Sequence, residues 1–223
     1  MNSLPFDIVG FDLDGTLLDT HRDLAEALNH TLAVAGRPAI PFEEVRALVG
    51  GGTKKMLARG LEVTGGAVDP ERFEQLGEEL VDYYGRNISA HSTHFPGGQA
   101  MLAALAGRGV KLAVVTNKLE RLAVKLLGEL DMLSSFYTVI GGDTLGPGRA
   151  KPRPDLLADM IARGGGGRAA YVGDTTYDTR AAAAAGVPCV AVSFGFNDLP
   201  PDALGADVVI GHYDELIPAL EQL

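Results

Sequence analysis

Apolar residues in this chain fall into two rhythms. Six short stretches carry nearly unbroken apolar runs: Asp7–Phe11, Lys111–Thr116, Phe136–Ile140, Ala170–Val172, Cys189–Ser193 and Asp207–Ile210. Continuous rather than alternating hydrophobicity suits strands covered on both faces. Between the later runs the spacing turns helical, over Gly98–Ala106, Leu119–Leu130, Pro154–Arg163, Thr179–Ala185 and Tyr213–Leu223. Strand and helix in alternation predict an α/β fold with a doubly wound parallel sheet. In such a sheet ligands bind beyond the carboxyl ends of the strands.

The first strand breaks this rhythm. Between about Leu18 and Phe95 no strand is predicted. Leu24, Leu28, Leu32 and Ala35 recur at helical spacing across Asp23–Ala35. Helices continue over Phe42–Val49, Thr53–Leu61 and Pro70–Ile88, with Asp69 a natural N-cap before Pro70. The run Val49-Gly50-Gly51-Gly52 separates two of them, and Pro96-Gly97-Gly98 marks the return to the sheet. The expected organisation is an α/β core of residues 1–17 and 96–223, with residues 18–95 inserted as an all-helical lid.

Polar residues of complementary kinds cluster at four predicted strand ends. The first strand runs into Asp12-Leu-Asp14-Gly-Thr16, the second into Thr116-Asn117-Lys118. A later segment presents Lys151-Pro-Arg-Pro-Asp155, and the fourth end is Gly173-Asp174-Thr-Thr-Tyr-Asp178. A parallel sheet gathers these ends at one edge. The chemistry they suit is phosphoryl transfer. One Asp can attack phosphorus while its neighbour moves protons. A lysine and a divalent cation held by carboxylate oxygens can neutralise the anions that must meet. Thr116 can hydrogen-bond a phosphoryl oxygen.

Composition narrows the classes. The 223 residues can bury a sizeable core, and 46% are hydrophobic, as in globular proteins. The net charge of −10 argues against a nucleic-acid partner, though not against a small phosphorylated metabolite bound beside a cation. The single cysteine, Cys189, excludes an intramolecular disulfide and reads as a small buried hydrophobe. Met1–Phe6 lacks a basic region and a long apolar stretch. No secretory leader, membrane span or membrane partner is expected, and the expected location is the cytoplasm. The oligomeric expectation is a monomer or homodimer.

Other residues invite plainer readings. Gly164–Gly167 reads as a surface connection and Ala181–Ala185 as a helix with small packing side chains. Lys118 alone reads as a solvated helix start, and Asp19 and Asp23 as charges at the start of the first lid helix. His91 and His94 read as hinge or surface residues, not a metal pair. His21, just behind the first motif, is a weaker candidate for substrate contact. Thr53, Lys54 and Lys55 are candidate contacts to a substrate anion, equally readable as a helix start with solvated lysines. Phe194-Gly-Phe196, after the fifth strand, reads as a loop at the edge of the site.

The four motifs, in this order, resemble those of the haloacid dehalogenase-like (HAD) phosphatases across essentially the whole chain. The resemblance implies Asp12 as the nucleophile that forms an aspartyl-phosphate and Asp14 as general acid and then base. It implies Thr116 and Lys151 as catalytic, with Thr116, Asn117, Lys151, Gly50 and Gly51 touching substrate. It implies Mg²⁺ as cofactor, held by the Asp12 carboxylate, the Asp14 backbone carbonyl and the Asp174 carboxylate. Asp178 then holds Lys151 or a metal-bound water. Leu48-Val-Gly-Gly-Gly52, Val114-Val-Thr-Asn-Lys118 and Gly173-Asp-Thr175 look most like phosphoglycolate phosphatases, which makes 2-phosphoglycolate the expected substrate. Pyrophosphatases, nucleotidases and a phosphosugar mutase of the same fold remain alternatives. Asp14 disfavours a dehalogenase or phosphonate hydrolase.

Overall fold

The computed structural model describes residues 4–223. Met1–Ser3, part of the stretch read as lacking a leader and of the expected core, lie outside the described residues. Six parallel strands form one sheet: β1 (Ile8–Phe11), β4 (Lys111–Val115), β5 (Thr138–Ile140), β6 (Ala169–Gly173), β7 (Cys189–Val192) and β8 (Val208–Ile210). Their spatial order is β5-β4-β1-β6-β7-β8, so β1 lies inside the sheet between β4 and β6. Phe11, the last residue of β1, pairs with Val114 and Val172, which brings three strand ends level. The order reverses at β1, and the polar motifs collect in that crevice.

Alternate residues of the strands feed two cores. Val9, Phe11, Leu112 and Val114 pack with α5 (Gly98–Gly107), α6 (Glu120–Glu129) and α9 (Leu216–Gln222). Ile8, Ala113, Val115 and Ile140 pack with α7 (Asp155–Arg163) and α8 (Thr176–Ala185). Both faces are therefore covered, which is why the strands read as continuous apolar runs. Cys189 is buried in the second core, and burial pushes its thiol up, away from reactivity.

Between β1 and α5 stand four helices: α1 (His21–Val34), α2 (Phe42–Val45), α3 (Thr53–Gly65) and α4 (Pro70–Arg86). Asp69 caps α4 as expected, accepting from the Arg72 N–H at 2.9 Å. The apolar faces of α1, α3 and α4 meet through Leu28, Leu32, Met56, Leu57, Leu76 and Leu80, all buried. The expected helix Phe42–Val49 is shorter, and its second half is a 3₁₀ turn over Arg46–Leu48.

Two sequence readings of this stretch need correction. It does contain strands: β2 (Leu18–Asp19) and β3 (Thr93–His94) pair antiparallel where the chain leaves the sheet and returns. Two-residue strands carry no period to detect. Asp23 is also more than a helix-end charge. It is buried, and its carboxylate accepts from the His91 N–H, the Ser92 N–H and the Ser92 hydroxyl, the last two at 2.8 and 2.6 Å. The outgoing and returning segments are thus fastened side by side. Among the described residues no helix is long and apolar enough to cross a membrane.

Candidate active site

Beyond β1 the chain doubles back tightly. The Leu18 N–H donates to the Leu13 carbonyl at 3.0 Å, and the Gly15 N–H to the Leu18 carbonyl at 2.9 Å. Gly15 has φ of +80°, and a Cβ there would run into Asp174 and the Phe196 ring. Only glycine allows this turn with a carboxylate against it. The turn leaves Asp12 and Asp14 at the sheet edge, both lining a narrow cavity of about 50 Å³. Thr116, Asn117, Lys118, Asp174 and Phe196 line it from the sheet side. Gly50, Gly51, Gly52, Thr53 and Met56 line it from the helical block.

Lys151 lies beneath this cavity. Its side chain is fully buried, with Nζ 3.1 Å from Asp12 Oδ1 and 2.6 Å from Asp178 Oδ1. It also donates to the Val115 carbonyl at 3.0 Å and to the Tyr171 hydroxyl at 2.7 Å. Burial opposes its charge, but Asp12 and Asp178 outweigh that and hold its pKa above the ordinary lysine value. Asp178 is committed on both oxygens. Its Oδ2 accepts from the Thr175 N–H at 2.9 Å, the Thr175 hydroxyl at 2.7 Å and the Asp174 N–H at 3.2 Å.

Asp174 is buried and accepts from the Thr16 hydroxyl at 3.0 Å and the Phe196 N–H at 2.6 Å. Burial, then the nearby Asp178 and Asp12 charges, raise its pKa well above the usual carboxylate range. Asp12 is raised to about 6, chiefly by burial, with Lys151 pulling the other way and Asp178 and Asp14 adding repulsion. Asp14 receives a different cation. Lys118 Nζ reaches its two oxygens at 2.7 and 2.9 Å, and the Thr20 hydroxyl donates at 2.8 Å.

The structure therefore corrects the reading of Lys118 as solvated. Its side chain is 2% exposed, and its ammonium sits 4.4 Å from the centroid of the Tyr84 ring of α4. Sequence reasoning missed it because a lysine after a strand is usually in water. The signal was its place two residues past Thr116, at the same strand end. Lys54, by contrast, points away to an exposed pair with Glu74, while Lys55 lies over the Tyr177 ring. His21 meets the Phe42 carbonyl, and His91 and His94 meet Glu26 and Gln99. The Phe194–Phe196 loop does more than edge the site, since its backbone holds Asp174.

The donor set fits a hard divalent cation. Carboxylate oxygens of Asp12, Asp174 and Asp178 lie within 4.8 Å of one another. Asp178 is the most heavily committed of the three, its oxygens accepting from Lys151, from the Thr175 N–H and hydroxyl and from the Asp174 N–H. Four acids here, Asp12, Asp14, Asp174 and Asp178, face two lysines, Lys118 and Lys151. A divalent cation bound here would balance the two charges left over.

A four-motif edge on a parallel sheet, with the helices inserted after β1, defines a class, and the comparison with known families agrees. The chain belongs to the haloacid dehalogenase-like hydrolases, whose family model matches residues 9–192. Among individual proteins it is similar to a phosphoglycolate phosphatase of Caulobacter vibrioides, at 43% identity covering 91% of this chain and 85% of that one. It is also similar to a phosphoglycolate phosphatase of Agrobacterium fabrum, at 38% identity covering 94% and 90%. A crystal structure of a predicted phosphoglycolate phosphatase from Haemophilus somnus superposes with a TM-score of 0.91 at 26% identity, covering 98% and 99%.

Proposed function

We propose that this enzyme is a Mg²⁺-dependent phosphatase that hydrolyses 2-phosphoglycolate, a small phosphate monoester, through an aspartyl-phosphate on Asp12. The observation that carries the reading is the split environment of the two motif acids. Asp12 has Lys151 at 3.1 Å, whereas Asp14, two residues on, is held by Lys118 and Thr20. One acid is thereby suited to attack and the other to move protons. The names of the relatives support the substrate, and the small cavity favours a compact one.

Asp12 attacks the phosphorus and the bond to the leaving oxygen breaks, with Asp14 in its protonated form giving its proton to that oxygen. Asp14 then takes a proton from a water that attacks the phosphorus, which breaks the bond to Asp12 and releases inorganic phosphate. Thr116 holds a phosphoryl oxygen, and Lys151 offsets the charge of Asp12 as the dianion approaches. Asp12, Asp174 and the Asp14 carbonyl would hold Mg²⁺, whose charge supplies electrostatic stabilisation of the phosphoryl oxygens. Residues 18–95 act as a lid over residues 1–17 and 96–223, with Gly50 and Gly51 contacting the substrate beyond its phosphate.

The test is phosphate release from 2-phosphoglycolate, sugar phosphates, nucleoside monophosphates and pyrophosphate, with Mg²⁺ and with chelator. The expected result is strong Mg²⁺-dependent preference for 2-phosphoglycolate. Turnover unaffected by chelator would remove the metal. Isomerised sugar phosphate without released phosphate would make the enzyme a mutase.

A further inference from the structure

Arg46, in the 3₁₀ turn after α2, reaches from the helical block to the sheet side of the site. Its guanidinium donates to the Phe194 carbonyl at 2.8 Å and to the Gly195 carbonyl. It also lies 5.5 Å from the centroid of the Phe196 ring. The Gly195 carbonyl and the Phe196 N–H belong to one peptide unit. That N–H donates to Asp174 Oδ2 at 2.6 Å. A single peptide plane thus carries an Arg46 cation on its oxygen and the Asp174 carboxylate on its hydrogen. Hydrogen bonds in such a chain polarise one another in the same sense. The plane has little room to turn, because a Cβ on Gly195 would strike Asp174 and the Gly15 carbonyl.

We propose that Arg46 is a positioning residue for Asp174, acting through the Gly195–Phe196 peptide, so that docking of the helical block and metal affinity are coupled. The inference rests on the reading of Asp174 as a metal ligand. Arg46 is not among the residues lining the cavity. A single guanidinium nitrogen gives both bonds, its two hydrogens reaching two adjacent carbonyls. Partners of metal ligands set affinity by fixing the ligand's direction, and Arg46 stands one hydrogen bond further out. The coupling is reciprocal: what steadies Asp174 from the block must steady the block when metal binds.

The experiment is calorimetric titration of the whole enzyme with Mg²⁺ in the absence of substrate, for wild type, Arg46→Met, Arg46→Lys and Asp174→Asn. Arg46→Met keeps the apolar stem and should weaken Mg²⁺ about five- to tenfold, with Arg46→Lys recovering part of the loss. Hydrogen exchange over residues 42–52 should slow on adding Mg²⁺ in wild type and respond less in Arg46→Met. A purely structural role predicts a lower melting temperature of the metal-free protein with unchanged Mg²⁺ affinity, and that result overturns the proposal. Asp174→Asn separates the two levels. If it binds Mg²⁺ as wild type does, the metal-site reading fails. If it loses Mg²⁺ while Arg46→Met binds normally, only the role of Arg46 fails.

Discussion

The sheet edge and the helical block line the same cavity but are held in different ways. At the sheet edge every charge is boxed in. Lys151 is fully buried with bonds to Asp178, Val115 and Tyr171, and Asp174 is bonded on both oxygens. The block offers backbone instead. Gly50, Gly51 and Gly52 all have positive φ, at 105°, 77° and 93°. Arg59 of α3 gathers the Leu48, Val49 and Gly50 carbonyls on one side of that run. The block joins the sheet by two paired connecting segments and a few side chains such as Arg46. In the proposed function, chemistry falls to the part that cannot adjust and contact with the rest of the substrate to the part that can.

The sharpest test of this division is Asp12→Asn. It should lower turnover about 10³-fold or more, since Asp12 is the proposed nucleophile and an amide cannot take that role. The same change should raise metal-free stability at pH 8. Asp12 is raised to about 6 in the folded protein, so the folded state binds more protons than the unfolded chain between about pH 4 and 6. Stability is therefore lost as pH rises through that window, and the neutral amide avoids the loss. The expected gain is about 1–2 kcal/mol in urea unfolding with chelator. A variant less stable than wild type at pH 8 would mean that Asp12 is a structural partner of Lys151 and not a strained functional charge.

Gly15→Ala probes the rigidity of the edge. The new Cβ meets Asp174 and the Phe196 ring at a residue whose φ is +80°. Strain and overpacking together should cost about 2–4 kcal/mol, read as a lower melting temperature. Turnover should fall with it, because the displaced group is Asp174. Tolerance of this change would place the adjustable part of the molecule at the sheet edge and reverse the comparison.

How much of this was legible follows the same line. The six sheet strands were readable because burial on both faces removes alternation from their sequence. The motif acids were readable because residues at one strand edge keep their neighbours whatever the rest does. Features created by contact between block and sheet were not. Lys118 looked solvated until Asp14 and the Tyr84 ring enclosed it, and Asp23 looked like a helix-end charge until Ser92 returned to it. β2 and β3 consist of two residues each, too short for any period. Arg46 lies some 150 positions from the carbonyls it holds, and nothing local marks the pairing.

The smallest effect is expected where the two regions press together. The Tyr84 hydroxyl is buried and has no hydrogen-bond partner among the described residues. Burial, followed by the charges of Asp14 and Asp23, pushes its pKa up, so the group stays neutral. What Tyr84 gives Lys118 is the face of its ring, 4.4 Å from the ammonium, and phenylalanine keeps that face. Tyr84→Phe therefore removes a buried hydroxyl with nothing to lose and leaves the Lys118–Asp14 pair in place. Stability should be unchanged or higher by up to about 1 kcal/mol, with kcat unaltered. Tyr84→Leu removes the ring, leaves a small cavity and should lower kcat through a looser Lys118. If the phenylalanine variant instead loses more than about 1 kcal/mol, the hydroxyl is a working contact. The boundary between block and sheet would then be as tightly specified as the sheet edge itself.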